Sequence, residues 1–199
     1  MTDLLVLHTL RCLGFTDPAR VADAAALTEA DAESRLIDLA VEGLVTRTPG
    51  PFGGWGLTEA GKSEDARLVA AELAAAGTRD AVTGAFERFL VLNPELLDLC
   101  TAWHMRPVHG VTEVNDHTDA GYDARVLARF ADLDRRAADV CADLGTALPR
   151  FARYRERLTA ALARATAGEL EHLADTTTSY HNVWFQLHED LLVTLGIPR

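Results

Sequence analysis

The chain has 199 residues, 48% of them hydrophobic and 25% charged, with 7 Pro and 14 Gly; this is a globular composition, not that of a disordered or fibrous chain. Its 30 Asp and Glu against 19 Lys and Arg give a formal net charge of −11, which weighs against strong nucleic-acid binding, where cationic side chains meet phosphates. No run approaches the ~18 uncharged apolar residues of a membrane helix. Met1-Thr2-Asp3 offers no basic lead-in for a secretory signal. Cys12, Cys100 and Cys141, odd in number and far apart, read as buried thiols of a reducing compartment, so a cytoplasmic protein is expected.

Leu4, Leu5, Leu7, Leu10 and Leu13 recur at helical spacing, and Gly14 ends that first helix. Asp17-Pro18 starts a second, short helix through the alanine run to Leu27, with the Asp side chain as cap and the proline at the first turn. Thr28, with Asp31 three residues on, caps a third helix that carries Leu36, Ile37, Leu39, Ala40 and Leu44 inward and ends near Gly43. Val45 to Thr48 is β-like, Pro49 to Gly54 is turn-forming, and Trp55 to Leu57 pairs back as a hairpin. Phe52 and Trp55 sit beside its tip, where exposed rings would suit a neighbouring domain or partner. Thr58 caps an alanine-rich helix from Glu59 to Ala76, closed by Gly77.

Helix, helix-turn-helix, hairpin and helix make a winged helix-turn-helix. The run Leu36-Ile-Asp-Leu-Ala-Val-Glu-Gly-Leu-Val45, then Arg47-Thr-Pro, then Gly56-Leu-Thr-Glu-Ala-Gly61 resembles bacterial regulators of the MarR and PadR kind. The resemblance covers about the first third of the chain. It implies a DNA-binding transcriptional regulator in which the third helix enters the major groove and the wing touches backbone, with Ser34, Arg35 and Arg47 as the DNA-contacting residues. Two departures stand against that. The front of the third helix offers Glu29, Asp31 and Glu33, and the wing tip from Gly50 to Trp55 has no Lys or Arg. DNA is therefore a possible partner that the acidic charge disfavours.

Beyond Gly77 the pattern is helical. A helix from Thr78 or Arg79 to Leu92 is expected to stop at Asn93-Pro94, where another begins and runs to Trp103. His104 to Thr118 reads as a loop of about fifteen residues, long for a compact domain, as functional lids or else disordered segments are. A long helix then runs from Asp119 to Leu148, another from Phe151 to Gly168 with Arg150, Arg153 and Arg157 along one side, and a last one from about Ser179 to Leu195, apolar on nearly every side. The expected architecture is mainly α, a winged helix over residues 1–77 with a small β-hairpin and a helical bundle over 78–199 for ligand binding or dimerisation.

The chemistry-bearing residues of the helical part fall in and before the long loop (Trp103, His104, His117, with Asn115 and Asp116) and on the last helix (Tyr180, His181, Trp184, His188). Folded together they would line an aromatic pocket with imidazole donors, suited to a small-molecule effector such as an organic acid. A catalytic version would use His117 or His181 as general base, oriented by Asp116 or another acid. For a metal, no two of His104, His117, His181 and His188 fall at i, i+4, and neither H-E-x-x-H nor C-x-x-C occurs, so none is expected. No motif assigns a cofactor. The expected function is an effector-sensing, homodimeric transcriptional regulator. The alternatives are a winged helix that has left DNA for protein contacts, and a small-molecule enzyme using the His/Trp pocket.

Overall fold

A computed structural model describes residues 2–50 and 53–198. Those residues are mainly helical, 73% helix in eight α-helices, with two small antiparallel hairpins. The candidate partner residue Phe52 lies outside the described residues. The chain divides into two compact units, one formed by Met1–Arg79 with Gln186–Arg199 and the other by Asp80–Phe185. No described helix is long and apolar enough to cross a membrane.

The first unit opens with α1 (Thr2–Leu13), α2 (Pro18–Ala25) and α3 (Glu29–Val41). Asp17 caps α2 by accepting from the Arg20 amide at 2.9 Å, and Thr28 caps α3 by accepting from that of Asp31 at 3.1 Å. Strands β1 (Val45–Thr48) and β2 (Gly54–Leu57) pair antiparallel, Val45 opposite Leu57. Thr16 adds a bridge on the other side of β2, exchanging two backbone hydrogen bonds with Trp55 at 3.0 and 2.6 Å. The core joins Val6, Leu7 and Leu10 of α1, Val21 and Ala22 of α2, Ala32, Leu36 and Leu39 of α3, and Val45 and Trp55 of the hairpin.

Two sequence expectations change here. Trp55 is buried, because the bridge to Thr16 turns β2 inward, so it is a core residue and not a partner-facing ring at the tip. Ile37 is 51% exposed: one position on from Leu36, it is rotated about 100° off the buried row of Ala32, Leu36 and Leu39.

The helix α4 (Glu59–Ala76) is joined to the rest by a close approach at Gly61. A Cβ on Gly61 would stand 1.9 Å from the carbonyl oxygen of Leu44. Thr58 fixes the same place: its amide and hydroxyl both donate to the Leu44 carbonyl at 3.0 Å, its hydroxyl also reaches Gly43 O at 2.8 Å, and its Oγ1 accepts from the Gly61 amide at 3.0 Å. Gly77 closes α4 in the left-handed region.

In the second unit, α5 (Arg79–His104) is one helix that continues through Pro94, so the expected break at Asn93-Pro94 is corrected. Val82, Phe86, Phe89, Leu92, Leu96 and Leu99 form one buried row across the proline, and that burial outweighs the single amide hydrogen bond that proline removes. Asn93 adds a tie by accepting from the Trp184 indole N–H at 3.0 Å. The expected loop from His104 to Thr118 is instead mostly a hairpin, β3 (Met105–Val108) and β4 (Val111–Val114). Its two-residue turn is His109-Gly110, both at positive φ, as a tight hairpin requires. The sequence hides it because β4 is exposed along its whole length, so no in–out alternation marks it.

The long helix α6 (Ala120–Ala147) starts on the Asp119 cap and packs against α7 (Ala152–Thr166). Between them Asp134 accepts from both terminal nitrogens of Arg155, at 2.9 and 2.6 Å, and from the Tyr180 hydroxyl at 3.1 Å. Burial, then the Asp134 charge, holds the Tyr180 phenol well above its ordinary range. The last helix, α8 (Tyr180–Leu195), is buried or half-buried except at Phe185; Tyr180 to Phe185 belong to the second unit and the remainder to the first.

Candidate functional site

The surface of α3 is the first candidate. Its exposed residues are Glu29, Ala30, Asp31, Glu33, Ser34, Ile37, Asp38 and Val41, followed by Glu42 at the cap. Val41 is 86% exposed and lies one turn from Ile37, so two aliphatic side chains sit amid five carboxylates. Arg35 is held inside that field: its guanidinium lies 2.6 Å from Asp3, 3.3 Å from Asp38 and 3.6 Å from Glu42. Ser34 is exposed beside it. Arg47, exposed on β1, has its guanidinium carbon 5.8 Å from the Trp55 ring centroid. The three residues singled out for DNA thus comprise a bare hydroxyl, a cation spent on three acids, and one arginine resting on an aromatic ring.

The seven residues singled out for a ligand do not form one group. Trp103 and His117 meet, with ring centroids 4.5 Å apart. His117 Nδ1 lies 2.9 Å from Asp123 Oδ2, and buried Asn115 donates to Asp123 Oδ1 at 2.8 Å and to the Trp103 carbonyl at 3.0 Å. The acid that orients His117 is therefore Asp123; Asp116 instead pairs with Arg106 at 2.8 Å, being carried on the outer side of the segment that follows β4. His117 takes a left-handed backbone, φ +58, which is strained for a non-glycine residue. With the proton placed on Nδ1 toward Asp123, Nε2 is the acceptor, the arrangement of an oriented base.

His104 and His181 form a second group. His104 Nδ1 lies 3.8 Å from Asp175. The His181 imidazole is held below its ordinary pKa by burial and then by the charge of His104. Tyr180 and Trp184 belong to a third, the aromatic core: Trp184 stacks on Phe89 at 4.6 Å, and Tyr180 meets Phe130 edge-on at 5.8 Å. His188 lies in the part of α8 that belongs to the first unit.

Sequence reasoning missed a fourth group, in the first unit. His8 of α1 is fully buried, with Nδ1 3.0 Å from Asp65 of α4 and Nε2 2.9 Å from Asp190 of α8. Cys12, one turn along α1, has its sulfur 3.7 Å from Nε2. Thr194 donates to Asp190 at 3.0 Å. Burial alone would depress the imidazole pKa, but Cys12, Asp190 and Asp65 together raise it well above its ordinary value. The available signal was Asp65, an acid in the i, i+4 row Gly61, Asp65, Val69, Leu73 that α4 buries. Cys100 and Cys141 are plain core thiols, pushed up to about 12 and about 11, chiefly by burial.

Comparison with protein-family models, curated proteins and solved structures finds no match to this chain.

Proposed function

We propose that the first unit is a winged helix-turn-helix used to bind a protein, with α3 docking on a basic partner. The observation that carries this reading is the α3 surface, five carboxylates around exposed Ile37 and Val41 with its one arginine already paired to three acids. A phosphate backbone would be repelled by such a face. A second copy of the same face would be repelled too, which favours a different protein carrying Lys or Arg around an apolar patch. The order α2, α3, β1, β2 and the Thr16 bridge support the winged-helix assignment, and the likeness to MarR and PadR regulators at Leu36 to Gly61 supports it as well.

The test is a titration of the purified chain with DNA from its own promoter region and with random DNA, at about 50 mM salt and upward. The expected result is no saturable binding to either. Saturable binding that prefers the promoter and weakens with salt would return the chain to the regulator reading. One observation favours that second reading: Arg47 is exposed on β1 and braced by Trp55. In that case Arg47→Ala lowers affinity on all sequences and reduces the salt slope by about one.

A further inference from the structure

We propose that His8, Cys12 and Asp190 are the protein ligands of a zinc(II) ion buried in the first unit. His8 Nε2, Cys12 Sγ and an Asp190 oxygen lie within 4.8 Å of one another, and all three residues are buried. His8 and Cys12 stand at i, i+4, so one face of α1 presents both donors toward the carboxylate from α8.

The spacing suits the ion. Zinc bonds of about 2.0–2.1 Å to nitrogen, about 2.0–2.2 Å to oxygen and about 2.3 Å to sulfur put tetrahedral neighbours about 3.3 Å (N to O) and about 3.5 Å (N to S) apart. The observed separations are 2.9 Å from Nε2 to Asp190 and 3.7 Å from Nε2 to Cys12, each within a few tenths of an ångström of the zinc spacing, and the sulfur lies within 4.8 Å of the carboxylate oxygen. Three protein donors leave zinc a fourth position, which a water molecule would take. The outer partners are also in place. Asp65 accepts from His8 Nδ1 at 3.0 Å, leaving Nε2 as the metal-facing nitrogen in the carboxylate–histidine arrangement that orients such ligands. Thr194 donates to the same Asp190 oxygen, Oδ1, at 3.0 Å and so fixes its position. Binding releases the proton from Nε2 and the thiol proton, and the mixed N, S, O set favours zinc over magnesium or calcium.

The alternative is a metal-free clamp in which an imidazolium bridges the two carboxylates. Zinc content separates the two, measured on untagged full-length protein from zinc-supplemented cells after exhaustive desalting. The expected value is one equivalent; none overturns the proposal. Protein produced in cobalt-supplemented minimal medium should show the near-ultraviolet thiolate-to-cobalt band together with tetrahedral d–d bands. Cys12→Ser should abolish the near-ultraviolet band while Cys100→Ser and Cys141→Ser leave it unchanged; a band that survives in Cys12→Ser overturns the assignment. Asp65→Asn should keep the cobalt spectrum and weaken zinc about 10- to 100-fold; unchanged affinity would mean that Asp65 does not orient the ligand. Because zinc content and the cobalt spectrum are read on the unaltered chain, failure of a variant to fold leaves the test intact.

Discussion

At the scale of single residues, burial decides what the polar groups do. His8 is fully buried between two carboxylates, so removing it strands Asp65 and Asp190 without their shared partner. In metal-free protein, where the imidazole meets both carboxylates directly, His8→Gln should cost about 3–5 kcal/mol of stability, the range for breaking a buried charge pair, read from chemical denaturation. Asn115 is a smaller case: Asn115→Ala removes the donor to Asp123 and to the Trp103 carbonyl, and about 1–3 kcal/mol should be lost, with His117 freed from its oriented position. His181 gives a pH signature. Its folded pKa is depressed, so the unfolded chain binds the proton more readily; stability from this group is intact above the ordinary histidine range and falls as pH drops through it and below. His181→Gln should flatten the melting temperature between about pH 7 and 5 relative to wild type, and an equal acid-side slope in both proteins would show that His181 is not the group responsible. None of these partnerships was legible in sequence, because Asp65, Asp123 and Asp190 lie 57, 6 and 182 positions from the histidines they meet. What was legible was residue type, as in the concentration of His and Trp near positions 103–117 and 180–188.

At the scale of elements, capping and periodicity carried the reading. Asp17, Thr28, Thr58 and Asp119 all cap the helices expected of them. The reading failed where a local rule met a tertiary one. Pro94 marks a break by its chemistry, yet α5 runs through it on the strength of the buried row from Val82 to Leu99. Pro94→Ala restores a missing amide donor in an intact helix and should raise stability by about 1–3 kcal/mol, measured as a shift in the denaturation midpoint. The hairpin β3–β4 failed to show for the opposite reason: its residues bury little, so no hydrophobic pattern announces it.

For the whole molecule, the first unit is discontinuous along the chain. It draws Gln186–Arg199 into the same compact body as Met1–Arg79, and Asp190 is the clearest reason, since it supplies one of the two carboxylates on His8. A fragment of residues 1–79 therefore lacks part of its own core and should be less stable to urea than the same unit in the full chain. Adding a peptide of residues 180–198 should recover part of the difference. A fragment as stable as the full chain would mean that the C-terminal stretch is dispensable.

The contact of Gly61 with the Leu44 carbonyl bears on how chains of this type are compared. Leu57-Thr58 and Gly61 are the tenon and mortise of a joint: the threonine is pinned to the Leu44 carbonyl, and the glycine leaves room for that oxygen where any side chain would collide. Neither residue points at a partner. Two proteins sharing those letters therefore share a carpentry solution, and a genome search keyed to them collects one joint across every trade that uses it.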